Sequence, residues 1–229
     1  QFTLQILPLL LSVESFKLYL GSTHISELCA KEIIAYFHIT LTEKIHTFTL
    51  FLSDIKITDL TLISLTSSIS ALKNLKHLQL GFSGTKVSDS GLELILKNLS
   101  GVASNLQTLA LYFGNTKISD SSIKVLYKEV MPKIKMLRNL TLDLSASEVS
   151  DSGMLKLFSA IDEKVSSLKT LTLHLALLRI SDKTIEVLAK NVMPRLAQLE
   201  NFTLNLANTR VKDSGLTELL NNMAIAMER

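Results

Sequence analysis

KVSDSG at residues 86–91 returns along the chain as KISDSS (117–122), EVSDSG (148–153), RISDKT (179–184) and RVKDSG (210–215). KITDLT (56–61) is an earlier copy, and HISELC (24–29) a degenerate one. With the acid as marker, the copies stand at Glu27, Asp59, Asp89, Asp120, Asp151, Asp182 and Asp213, in steps of 32, 30, 31, 31, 31 and 31 residues. Self-similarity at a fixed period of this size is the mark of a solenoid made from one supersecondary unit, whose apolar face is buried only by its neighbours.

Positions counted back from each acid fall into columns. Eleven and seven residues upstream every copy has Leu or Phe, and nine upstream every copy has Leu, from Leu18 to Leu204. That alternation of period 2 predicts a half-buried strand. After the acid the spacing changes to three and four, as in Ile123, Leu126 and Val130, or Met154, Leu157 and Ile161, which predicts one apolar helix face. Ser or Thr followed by the acid sits where a helix needs an N-cap, so the pair is expected to cap its own helix. The three prolines, Pro8, Pro132 and Pro194, all lie 19 residues before an acid. There a helix has to end before the next strand, which makes them structural punctuation rather than a site.

The Leu-x-x-Leu-x-Leu phrase, as in LQTLAL (106–111), together with the Ile-Ser-Asp helix starts, resembles the leucine-rich-repeat family, and within it the ribonuclease-inhibitor-like group. The resemblance covers the whole chain. It implies an α/β horseshoe with a parallel sheet on the concave side, helices on the convex side, and about seven repeats of about 31 residues. The family's usual turn Asn or Cys is replaced here by Thr23, Thr85, Thr116, Ser147 and Thr209, whose hydroxyls are expected to satisfy the turn backbone. Gly91, Gly153 and Gly215 stand two after the acid in alternate copies, with Ser122 and Thr184 between them, so the ancestral unit is read as a pair. The expectation is one domain over residues 1–229. Its opening residues read as the tail of a helix and neither end carries a polar cap, so it is expected to be a stretch of a longer chain.

Composition narrows the function classes. A net charge of +3 is too mild to argue for nucleic acid. The single cysteine, Cys29, excludes an internal disulfide and favours a reducing, intracellular and cytoplasmic setting, including a cytoskeletal or other large assembly. Cys29 falls on a helix and is read as buried rather than reactive. LQILPLLLSV (4–13) is too short to span a membrane and has no basic leader. No glycine-rich phosphate loop occurs, and His38 and His46 have no metal-ligand spacing, so no cofactor or metal is expected.

Residues between the inward leucines face away from the core. Eight upstream of the acids stand Tyr19, Phe51, Gly81, Tyr112, Asp143, His174 and Asn205, expected side by side on consecutive strands. Asp143 beside His174 invites an acid–base reading, but hydrolysis also needs a nucleophile and an oxyanion site. The pair is read instead as an exposed cross-strand pair or part of a partner-binding patch, with Tyr19, Phe51 and Tyr112 as aromatic anchors. Three before the acids runs a basic stripe of His24, Lys56, Lys86, Lys117, Arg179 and Arg210, broken by Glu148. It is a solvated edge or a dock for an acidic protein surface; nucleic acid is disfavoured. The resulting expectation is a non-enzymatic scaffold, a structural or adaptor subunit that binds another protein. Two alternatives follow from the resemblance: the substrate-recognising part of an F-box ubiquitin-ligase adaptor, and a GTPase-activating leucine-rich-repeat protein.

Overall fold

The computed structural model describes residues 13–40, 44–161 and 167–227. Seven strands appear where the alternation placed them: β1 (Ser15–Tyr19), β2 (Thr47–Phe51), β3 (His77–Gly81), β4 (Thr108–Tyr112), β5 (Asn139–Asp143), β6 (Thr170–His174) and β7 (Asn201–Asn205). All pair in parallel and in chain order, and equivalent repeat positions are register partners, as in Leu50↔Leu80↔Leu111. Each strand is followed by a helix that begins on the marker acid: α1 (Glu27–Thr40), α2 (Asp59–Ala71), α3 (Asp89–Ser100), α4 (Asp120–Val125), α5 (Asp151–Ala160), α6 (Asp182–Val187) and α7 (Asp213–Met227). This is an α/β repeat solenoid of seven strand–helix units. Strands pack about 5 Å apart and helices about 8–10 Å apart, so the strand side is the shorter and becomes the concave one. Between the layers runs one apolar core, with Leu50, Leu78, Leu109, Leu140, Leu171 and the helix residues Leu65, Ile95 and Leu157 fully buried.

Turn chemistry follows the expectation in part. The hydroxyls of Thr23, Thr85, Thr116 and Thr209 donate to the carbonyls of Leu20, Phe82, Phe113 and Leu206 at 2.5–2.8 Å. The Ser147 hydroxyl instead accepts weakly from the Val149 N–H at 3.5 Å. One position earlier, every repeat has a left-handed residue: Ser22, Asp54, Gly84, Asn115, Ala146, Leu177 and Asn208, with φ between 53° and 68°. In all but the last of these, Asn208, the N–H bonds the next repeat, as Asn115 does to the Ser145 carbonyl at 2.7 Å.

The helix starts depart from the expected capping. Thr58, Ser88, Ser119 and Ser150 do cap their own helices, accepting from the N–H two residues on. The acids do not; their carboxylates cross to the following repeat. Asp59 accepts from the Ser88 N–H at 2.8 Å and its hydroxyl at 2.5 Å. Asp89 holds Ser119 in the same way and also takes the N–H and hydroxyl of Ser122 at 3.2 and 2.5 Å. Glu27, Asp120, Asp151 and Asp182 each reach the next helix start likewise. Burial pushes the carboxyls of Glu27 and Asp151 up, but hydrogen bonds from the next repeat outweigh it and hold both below the usual range.

Pro132 and Pro194 do close their helices, by a route the pattern did not show. A regular α-helix would drive the proline ring into the carbonyl four residues back. Here α4 widens into a π turn over Leu126–Val130, whose closing Met131 N–H reaches the Leu126 carbonyl, and a 3-10 turn over Met131–Lys133 follows. The end of α6 repeats this over Leu188–Val192 and Met193–Arg195. Pro8 lies outside the described residues.

Candidate functional site

The strand face is where the repeats differ from one another. Its central column is tighter than its outward direction implies: Thr49 and Ala110 point away from the core and are nonetheless buried by their neighbours. The Thr49 hydroxyl has no hydrogen-bond partner. At the N-terminal end of the strands, Asn139 Nδ2 donates to Thr108 Oγ1 at 3.2 Å, and His77 Nδ1 lies 3.0 Å from the same oxygen. Burial, then the charges of Lys76, His46 and Lys17, hold the His77 pKa below its ordinary value. That shift favours the neutral ring, which lies on the sheet surface.

At the C-terminal end, the anchors come together further than their register allows for. Tyr19 and Phe51, on neighbouring strands, stack with centroids 5.3 Å apart and planes 23° apart. Phe51 and Tyr112 stand two strands apart, yet their centroids are only 5.2 Å apart. The strand between them carries Gly81, and a Cβ there would lie 2.3 Å from the Phe51 ring. Phe51 therefore leans over Gly81, and the three rings form one continuous shelf across β1–β4. Tyr19 is 61% exposed; Phe51 and Tyr112 are half-buried. Burial raises the Tyr112 phenol pKa, against the effect of a hydrogen bond with Thr141. Gly81 was visible in the same column, but only the tilt of Phe51 gives it meaning.

The other candidates are less united. Asp143 and His174 are register partners, but neither an ion pair nor a hydrogen bond joins them. Asp143 Oδ1 accepts from the Ser145 N–H at 3.1 Å, and Asn205 Oδ1 plays the same part for Ala207 at 3.1 Å. Both side chains shape their own turns. Lys56, Lys86, Lys117, Arg179 and Arg210 are all exposed, and none forms an ion pair among the described residues. A short ladder past the turns holds the stripe in file, with the N–H groups of Lys86, Lys117 and Arg210 bonding the Ile57, Val87 and Ile180 carbonyls at 3.0–3.1 Å. Cys29 is a half-buried free thiol. Among the described residues no cluster of three His, Cys, Asp or Glu side chains could hold a metal ion, and no helix is long and apolar enough to cross a membrane.

No protein-family profile and no curated protein matches the sequence. Among solved structures, the chain is similar in fold to the actin-binding site 2 of leiomodin-1, at 14% identity over 87% of this chain and 88% of that one, with a TM-score of 0.39. It is also similar to an internalin from Listeria monocytogenes, at 16% identity over 87% of this chain and 70% of that one, with a TM-score of 0.29.

Proposed function

We propose that the chain is a non-catalytic protein-interaction scaffold of the ribonuclease-inhibitor-like kind, a structural or adaptor subunit whose partner docks on the strand face and the adjoining basic edge. The observation that carries this reading is the Tyr19–Phe51–Tyr112 shelf. It lies on the side of the sheet away from the core, so the core does not need it. Clearing Gly81 beneath Phe51 makes it continuous, and aromatic anchors on a rigid sheet are what interfaces concentrate. The free thiol of Cys29 is in keeping with a reducing, intracellular setting. Asp143 and His174 stand side by side with no hydrogen bond or ion pair between them, which supports a surface role for the pair over an acid–base one.

Photo-crosslinking with mapped sites tests this. A benzophenone amino acid placed at Tyr19 or Lys86 should crosslink native-extract proteins at the attachment sites of one partner, and Tyr112→Ala should abolish those adducts. The same group at Leu94, on the helix side, should give only background. Equal yields from Leu94 would overturn the assignment to the strand face.

A further inference from the structure

We propose that repeats 2–4 form a bounded dock for an extended, acidic segment of a partner protein that carries one apolar anchor residue. This deepens the interaction-scaffold reading and rests on it. The repeats that supply Phe51, Gly81 and Tyr112 also supply Lys56, Lys86 and Lys117, one cation per rung beside the shelf. None of the three is ion-paired among the described residues: Asp54 Oδ1 packs over Gly84, while Asp59 and Asp89 bond the next repeats' N-cap serines. Three rungs span roughly 10 Å, which three or four residues of extended chain cover.

The dock has a wall. In repeat 5, Asp143 follows Tyr112 in the shelf column and Glu148 follows Lys117 in the stripe. An acidic segment that lies comfortably over repeats 2–4 meets two negative charges if it continues. Repeats 6 and 7 regain cations in Arg179 and Arg210 but offer His174 and Asn205 where the rings were. Single-stranded nucleic acid also joins cations to rings, but it stacks bases on open aromatic faces. Phe51 is already engaged by two rings, stacked with Tyr19 and tilted against Tyr112. A shelf of rings already packed on one another suits an aliphatic or aromatic side chain laid against it.

The test is fluorescence anisotropy of the 229-residue chain with a labelled peptide of Asp and Glu around one central Phe. Comparison probes replace that Phe by Ser, replace the acids by Lys, or use a labelled oligo-dT. The acidic Phe peptide should bind best, and Lys86→Glu and Lys117→Glu should each weaken it about fivefold at low salt. Phe51→Ala should weaken it too; Phe51→Leu, which keeps the shelf filled, should bind nearly as wild type and guards against a folding defect. Glu148→Lys should tighten binding about threefold by opening the wall. A peptide that binds the Lys56→Glu, Lys86→Glu, Lys117→Glu triple variant as well as wild type would overturn the proposal. So would stronger binding of the Lys peptide or of oligo-dT. If the peptides fail while mapped crosslinks at Tyr19 persist, the scaffold reading stands and only the acidic dock is lost.

Discussion

The junction between repeats 3 and 4 and the junction between repeats 4 and 5 share a backbone and differ at one residue. In the first, the Asp89 carboxylate takes the N–H and hydroxyl of both Ser119 and Ser122. In the second, Asp120 takes only those of Ser150 and presses against Gly153, where a Cβ would lie 2.3 Å from its Oδ1. The alternation continues along the solenoid: Thr61 and Thr184 donate hydroxyls to Glu27 and Asp151, whereas Gly91 and Gly215 leave room for Asp59 and Asp182. One carboxylate can thus be held in two ways, by a hydroxyl that reaches out or by a missing Cβ that lets the acid in. The paired, 62-residue rhythm of the sequence is the rhythm of these two clamps.

The largest expected effect separates the two clamps directly. Asp89→Ala strands the fully buried Ser122 hydroxyl along with the Ser119 groups, and should cost about 3 kcal/mol in urea unfolding. Asp59→Ala strands only the half-buried Ser88 groups and should cost about half as much, near 1.5 kcal/mol. Equal losses would break the distinction. Next comes Gly153→Ala. At an ordinary helix position that change gains up to about 1 kcal/mol, but here the new Cβ must displace Asp120, so a loss of about 1–2 kcal/mol is expected. In an Asp120→Ala background the same substitution should return to a gain. A double-mutant cycle reads the sign change.

Most of the solenoid was legible because its signals are local. Alternation at eleven, nine and seven before the acid marks each strand, and the change to three-and-four spacing marks each helix. The crossing of the acids was not legible, since a Ser-Asp helix start looks the same whether the carboxylate caps its own helix or reaches 30 residues ahead. The alternating glycines were its only trace. The π turns before Pro132 and Pro194 leave no trace, because Leu126 and Val130 sit on the buried side as they would in a regular helix. The shelf was half legible: the rings stood in one column, but the lean of Phe51 over Gly81 depends on side-chain direction, which column arithmetic does not contain.

The left-handed turns show the opposite arrangement to the clamps: the conformation repeats although the residue does not. Gly84, Asn115 and Asn208 tolerate φ near 57–68° or a little below, whereas Leu177 at 62° carries the Cβ clash of that region with its side chain 57% exposed. Leu177→Gly relieves about 1–2 kcal/mol of strain and gives back about 0.5–1 kcal/mol in chain entropy, for a net gain of about 0.5–1 kcal/mol. Gly84→Ala should do the reverse and more, because its Cβ would also meet Asp54 Oδ1 at 2.0 Å. A thermal melt that left Leu177→Gly unchanged would show the turn to be held without strain.

The smallest effect is electrostatic and belongs to the hydroxyl clamp at Asp151. Burial raises the Asp151 carboxyl, but the Thr184 hydroxyl, the Ser181 N–H and hydroxyl, and the Lys183 charge together leave it lowered. A carboxyl whose folded pKa is depressed contributes stability that is complete above the unfolded value of about 3.9 and is lost as pH falls through the folded one. The clamp should therefore add an acid limb below about pH 4, worth under about 1 kcal/mol because the site is partly open to solvent. Thr184→Gly turns this junction into the other kind and removes the strongest bond to the charged form. Its acid limb should be shallower than that of wild type when stability is followed by urea unfolding from pH about 5 down to about 2.5. Superimposable limbs would mean that the Thr184 hydroxyl positions the carboxylate without favouring its charge.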